Sequence, residues 1–216
     1  MQTWRNGLQS KLSNHVDTSG VTLARFLFAA PIVVVYLFAL YQSSPQSLPE
    51  YSLTFVRFVL IAAVMQIIAT ALMVLLFKQK NFAIGAGLAK SEAVVAGVLG
   101  TFFFGSQLTL LGWGGIFVGT ISIFVLSGIL QKGNFSLKTV FIGLACGSSF
   151  ALTSLYVREA SHELNMPFIH GAAWVLLWVI LVQTFALTVF IGIKNPKVFG
   201  QLKQHAGLTI ATSLTS

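Results

Sequence analysis

The chain contains at least six apolar stretches that approach or exceed the roughly 20 residues needed to cross a bilayer. They run from about Thr22–Tyr41, Thr54–Phe77, Phe82–Phe104, Leu110–Leu130, Thr139–Val157 and Phe168–Ile193. Inside a bilayer every backbone N–H and C=O must be satisfied without water, and runs of this length do so as helices. The expectation is an all-α, polytopic membrane helical bundle. Charged residues make up 8% of the chain and hydrophobic ones 56%, with a mean hydropathy of +0.84, which excludes an ordinary soluble domain.

The net charge of +8 does not point to nucleic acid, because the Lys and Arg residues sit mostly in short loops between spans. Lys11, the Lys78/Lys80 pair, the Lys132/Lys138 pair and the Lys194/Lys197/Lys203 set occupy alternate loops, whereas the intervening ones carry Arg158, with Arg57 close by. The basic set is expected in the cytoplasm, which places the start of the chain outside. The single cysteine, Cys146, rules out an internal disulfide and a cysteine-based metal cluster. Met1–Gly20 lacks the apolar core of a secretory signal and reads as the tail of a helix, with Trp4, Leu8 and Leu12 at four-residue spacing, followed by a polar turn.

Against this apolar background the polar residues stand out. Lys90-Ser91-Glu92 falls inside the third span, where each ionisable group costs roughly 2.5–3.5 kcal/mol on insertion scales. Lys90 and Glu92 are two apart and point in different directions, so each needs a partner on another helix or a wet cavity. They are the leading candidates for contact with a solute, and Glu92 for carrying a coupling proton or cation. Arg25, Arg5 and Asn6 are further candidates, with snorkelling to the interface as the structural alternative for the arginines. Gln66 and Thr70 share one face of the second span and either line a cavity or join helices. Trp4, one turn from Arg5–Asn6, is a weaker candidate. Small-residue stripes at Gly85, Ala89, Ala93, Gly97 and at Gly112, Gly115, Gly119 predict close helix packing. Ser148, Ser149 and Thr153 have no positioned His and Asp, so no catalytic set is expected; no cofactor or metal site is expected either.

Lys11-Leu-Ser-Asn-His15 and Arg158-Glu-Ala-Ser-His162 align at an offset of 147 by subtraction, with Leu8 over Leu155 and Pro49 over Pro196. Together with matching hydropathy this suggests two copies of a five-helix unit, at 1–135 and 136–216. An odd helix number would put the second copy into the membrane upside down, the inverted-repeat arrangement of secondary transporters. In that scheme the chain is truncated at both ends: the first helix is incomplete and most of the last three helices are missing. His15 and His162 would then lie on opposite membrane faces, which argues against a shared metal.

Three segments resemble a known family. Arg25-Phe-Leu-Phe-Ala-Ala-Pro31 is similar to the second helix of EamA-domain proteins of the drug/metabolite transporter superfamily. Ala89-Lys-Ser-Glu-Ala93 and Gly105-Ser-Gln-Leu-Thr-Leu-Leu-Gly112-Trp-Gly-Gly-Ile116 resemble that family's fourth-to-fifth helix signature. The chain departs from the family at Ser106, where a Glu usually follows the Gly. The resemblance implies a secondary transporter moving a small metabolite, amino acid or drug-like solute by alternating access across a bacterial inner membrane. It implies neither covalent chemistry nor ATP hydrolysis, and the chain has no Walker Gly-Lys-Ser/Thr loop. The expected partners are the solute and the lipid bilayer; no feature specifies an oligomeric state. The competing expectation is a non-transporting membrane subunit or assembly scaffold.

Overall fold

The computed structural model describes residues 2–78, 91–126 and 137–214, and these are helical almost throughout, with no strand among them. In chain order the helices are α1 (Gln2–Ser13), α2 (Thr18–Phe26), α3 (Ala29–Ser43), α4 (Leu53–Phe77), α5 (Glu92–Phe103), α6 (Leu110–Leu126), α7 (Leu137–Glu163), α8 (Phe168–Lys194), α9 (Lys197–Gln204) and α10 (Ala206–Leu214). Among the described residues, four segments are long and apolar enough to cross a membrane: Thr18–Ser43, Leu53–Phe77, Leu137–Glu163 and Phe168–Lys194. At 25 to 27 residues each, they reach roughly 38–40 Å, beyond the ~30 Å hydrocarbon core. The expected third and fourth spans are represented by α5 and α6; residues 82–90 and 127–130 of those spans lie outside the described residues.

Large side chains face outward on the long helices as they would toward lipid. Phe38 on α3 is 68% exposed and Phe185 on α8 is 73% exposed. Water would penalise such a surface, whereas acyl chains do not. The described chain divides into two compact units, Met1–Ile67 with Tyr156–Ser216, and Ile68–Leu155. Each unit therefore combines residues from both sides of the repeat boundary expected near residue 135.

In the first unit α2 and α3 run antiparallel to α8. Val33 and Leu37 of α3 bury against Ala173, Leu177 and Ile180, while Phe55, Val59, Ala62 and Ala63 of α4 bury against Ala160, Leu164, Val175 and Val179. The alanines let α4 come close to its neighbours. Polar contacts fix both ends of the antiparallel pair. At one end Asn195 Nδ2 donates to Asp17 Oδ2 at 3.1 Å, and the Asp17 N–H donates to Gln201 Oε1 at 3.2 Å. At the other, His170 Nε2 donates to the Ser44 carbonyl at 2.9 Å, and Ser52 Oγ donates to Glu163 at 2.8 Å. The turn Asn14–Asp17 thus meets the segment after α8, and the turn Leu164–Pro167 meets the loop after α3. Both turns hold four residues.

One end of this unit carries Lys11, Lys194, Lys197 and Lys203 against Asp17; the other carries Glu50, Glu159 and Glu163 beside Arg57 and Arg158. The segment Lys194–Lys203, expected as a basic loop, is mostly the helix α9. Val198 and Leu202, four apart, bury one face while Lys197 and Lys203 remain exposed. The loop reading missed it because the charges masked a single apolar i,i+4 pair.

In the second unit Ala69, Met73, Leu76 and Phe77 of α4 pack on Cys146 and Phe150 of α7. Cys146 Sγ lies 3.2 Å from the Ala69 carbonyl, so the lone cysteine is a packing residue with a weak donor bond. Glycine permits close approach at two places. Gly97 of α5 lies against Ile116 of α6, and Gly147 of α7 lies against the Ser91 side chain and the Glu92 backbone. The stripe on α6 is not uniformly a contact edge, since nothing stands within 4 Å of a Cβ at Gly115. Gly85 and Ala89 of the other stripe lie outside the described residues.

Gly147→Val should therefore lower the thermal midpoint in detergent, by the ~1–3 kcal/mol typical of overpacking. Gly115→Ala should leave it unchanged. Equal midpoints for the two variants would contradict the contact at Gly147.

Candidate functional site

The membrane segment Thr18–Ser43 is broken. Pro31 has no N–H to give to the carbonyl four residues earlier, Leu27, and its ring crowds that carbonyl. The helix stops at Phe26 and resumes at Ala29, with Phe28 in the bridge region at φ −106° and ψ 6°. Other helices take up the exposed backbone groups. The Phe28 N–H donates to Ser213 Oγ of α10 at 2.8 Å, and Thr184 Oγ1 of α8 reaches the Phe26 carbonyl at 3.5 Å. Irregular backbone at membrane depth is tolerated where protein supplies such partners.

The break lies at the level of a polar layer. Gln183, beside Thr184, donates through Nε2 to Gln66 Oε1 at 2.7 Å. Gln66 stands close to the middle of α4 and Gln183 close to the middle of α8. Arg25 directly precedes the break and is only 6% exposed, with its guanidinium carbon 5.6 Å from the centre of the Phe26 ring. Because α2 begins at Thr18, Arg25 sits two turns inside the helix, and burial replaces the snorkelling expected of a residue near the span's entrance.

Helix α1 contributes carboxamides. Gln9 is fully buried, and neither its Nε2 nor its Oε1 has a hydrogen-bond partner; Asn6 Oδ1 is likewise buried without one. The two residues are three apart and share a face of α1. Across the Asn14–Asp17 turn, Asn6 and Arg25 are equally far from the hairpin end, which sets them at similar depth. An unsatisfied buried amide costs about 1–3 kcal/mol, so Gln9 calls for an explanation beyond packing.

The other expected residues divide as follows. Glu92 is half-buried in the first turn of α5, where the helix dipole favours a carboxylate, and it accepts a bond from Ser154 Oγ at 3.1 Å. Ser91 beside it is buried with an unpartnered Oγ. Lys90 lies outside the described residues, as do the side chains of Trp4 and Arg5. Thr70 is fully buried on α4 and belongs with Glu92 to the second unit. The first unit thus gathers Arg25, Asn6 and Gln66 and adds Gln9, Gln183, Thr184 and Ser213, which the sequence reading passed over. A signal existed for two of them: Gln9 follows Asn6 by three, and Gln183 is a lone carboxamide in an apolar window.

His15 stacks on His205 at 4.8 Å between ring centres, while His162 is exposed at the other end of the first unit. No group of three or more metal-binding side chains occurs among the described residues. A polar cleft of about 500 Å³ opens at the acidic end, between the Ser47–Ser52 stretch and Glu163–Met166. Burial pushes the Tyr51 phenol in its wall above the usual tyrosine value, a bond from Trp178 opposes this, and nearby Tyr41 adds to it. No family model, curated protein or solved structure matches this chain.

Two outcomes are expected. In a double-mutant cycle, Gln66→Leu and Gln183→Leu should couple by ~0.6 kcal/mol, the average for hydrogen bonds between membrane helices, with ~1.7 as the upper bound; additive variants would rule out an energetic link. Because a raised folded pKa favours the neutral phenol, Tyr51 contributes stability that is present below about pH 10 and lost as pH rises beyond it. Tyr51→Phe should flatten the alkaline fall of the thermal midpoint, and an unchanged fall would refute the assignment.

Proposed function

We propose that this protein is a secondary transporter of the EamA type, moving a small metabolite, amino acid or drug-like solute by alternating access across a bacterial inner membrane. The observation that carries this reading is the broken membrane helix at mid-depth. Its free backbone groups meet Ser213 and Thr184, a buried arginine adjoins it, and Gln9, buried on α1 of the same unit, lacks any hydrogen-bond partner. Discontinuous helices at the midplane are where transporter folds bind solutes, because irregular backbone and polar side chains supply ligands that a continuous helix withholds.

The contacts of the first unit support the inverted repeat. Each four-residue turn meets the segment that follows the long helix of the other half, and the antiparallel α2–α3 and α8 put those turns at opposite ends. A two-fold axis in the membrane plane generates this reciprocity. The basic end that carries Lys11 and Lys194–Lys203 is then cytoplasmic. Glu92 and Lys90 remain candidates for coupling to a proton or cation. The scaffold reading draws support from the Gln66–Gln183 and Glu92–Ser154 bonds, which are satisfied interhelical contacts. It leaves Gln9 without a role.

Water access separates the two. With Cys146 replaced by Ala, Gln9→Cys in proteoliposomes should react with a permanently cationic methanethiosulfonate, while Val179→Cys in the packed core should not. Labelling of neither position would favour the scaffold. In uptake assays over a panel of amino acids and organic cations, Arg25→Met should reduce flux at least tenfold with its thermal midpoint retained. Undiminished flux in that folded variant would remove the pathway.

A further inference from the structure

Beside the helix break lies a second cavity, an apolar groove of about 220 Å³ at the basic end of the first unit. Leu27 and Phe28 of the break form one wall; Phe199 and Leu202 of α9 and Ile210 of α10 form the other. The one side-chain hydroxyl in the lining, Thr209, already donates to backbone carbonyls at 3.1 and 3.2 Å. Lys203 is the only charged residue among those lining it, and it is exposed. Phe28, Phe199 and Ile210 are each about two-fifths exposed at the rim.

We propose that this groove is a binding site for one acyl chain of an anionic phospholipid, with its phosphate held at Lys203. Three observations commit it to that occupant. The lining is apolar, which fits a hydrocarbon chain and not a polar solute. The cation stands at the end where Lys11, Lys194 and Lys197 also gather, so the local field selects negative headgroups. Helix α9 packs Val198 and Leu202 on the protein, leaves Lys197 and Lys203 exposed, and begins just past the end of the α8 span at Lys194, which sets Lys203 at headgroup level. Because Leu27 and Phe28 belong to the wall, a bound chain rests directly on the broken segment. Lipid composition thereby acts on the conformation of the break, independently of which solute, if any, the protein carries.

The test needs no substrate. The intact chain is purified, reconstituted in vesicles of phosphatidylglycerol and phosphatidylcholine in equal amounts, extracted in mild detergent and examined by native mass spectrometry. One retained phosphatidylglycerol per chain is expected, at least fivefold in excess over phosphatidylcholine, the factor that about 1 kcal/mol per basic residue near the surface provides. Lys203→Gln should abolish that preference and Lys203→Arg preserve it. Ala206→Phe, at an exposed position lining the groove, should displace both lipids while leaving the thermal midpoint in detergent unchanged. Equal retention of the two lipids by the wild type, retention of detergent alone, or undiminished phosphatidylglycerol in a folded Ala206→Phe variant would overturn the proposal. None of these readouts depends on transport, so the solute pathway stands or falls separately.

Discussion

Pro31 removes one backbone donor from the membrane segment Thr18–Ser43, and much of the first unit is arranged around that loss. In water the freed groups near Leu27 would be solvated. In hydrocarbon they need protein partners, so Thr184 and Ser213 are held at the depth of the break by α8 and α10. The same level hosts Gln66 and Gln183, which satisfy each other in part, and Arg25, whose burial next to Phe26 is tolerable only where polar groups lower its desolvation cost. A continuous helix here would have needed neither the bond from Thr184 nor that to Ser213. The polar layer and the break are two aspects of one constraint.

The antiparallel pairing of α2–α3 with α8 then sets the direction of the unit. Its two ends differ in charge, with lysines gathered where Asn195 and Gln201 bind Asp17 and carboxylates gathered where Ser52 binds Glu163. Charge asymmetry of this kind orients a membrane protein during insertion. At the basic end α9 packs Val198 and Leu202 inward against Gly20 of α2, where a side chain larger than hydrogen would strike Val16 and Val198. The second unit is held differently, by close approach at Gly97 and Gly147 and by the small core around Cys146.

Much of this was legible in the order of residues. The bounds of α4 and α8 follow from hydropathy to within a residue or two, because lipid leaves no alternative to a helix for such runs. The stop at Ser13 and the polar turn after it were visible from the loss of four-residue spacing. Less legible was α9, whose two lysines hide a one-sided apolar pair. Gly115 also misled, since a glycine in a stripe looks the same whether it meets a neighbour or open space. Arg25 shows the limit most clearly. Its position near the start of an apolar run suggests snorkelling, and only the extension of α2 back to Thr18 places it two turns deep.

By itself, then, the sequence determined the class of solvent this chain lives in and the helices that follow from it, because backbone satisfaction in an apolar medium is a local requirement that each segment meets alone. It also placed Pro31, and with it the point where one helix must fail. What only the tertiary structure decided is which side chains answer that failure. Gln66 finds Gln183, Phe28 finds Ser213, and Gln9 finds none, and these outcomes depend on helix rotation and register between segments more than a hundred residues apart. No single helix encodes them, since the partners of a buried polar group are chosen by the packing of its neighbours.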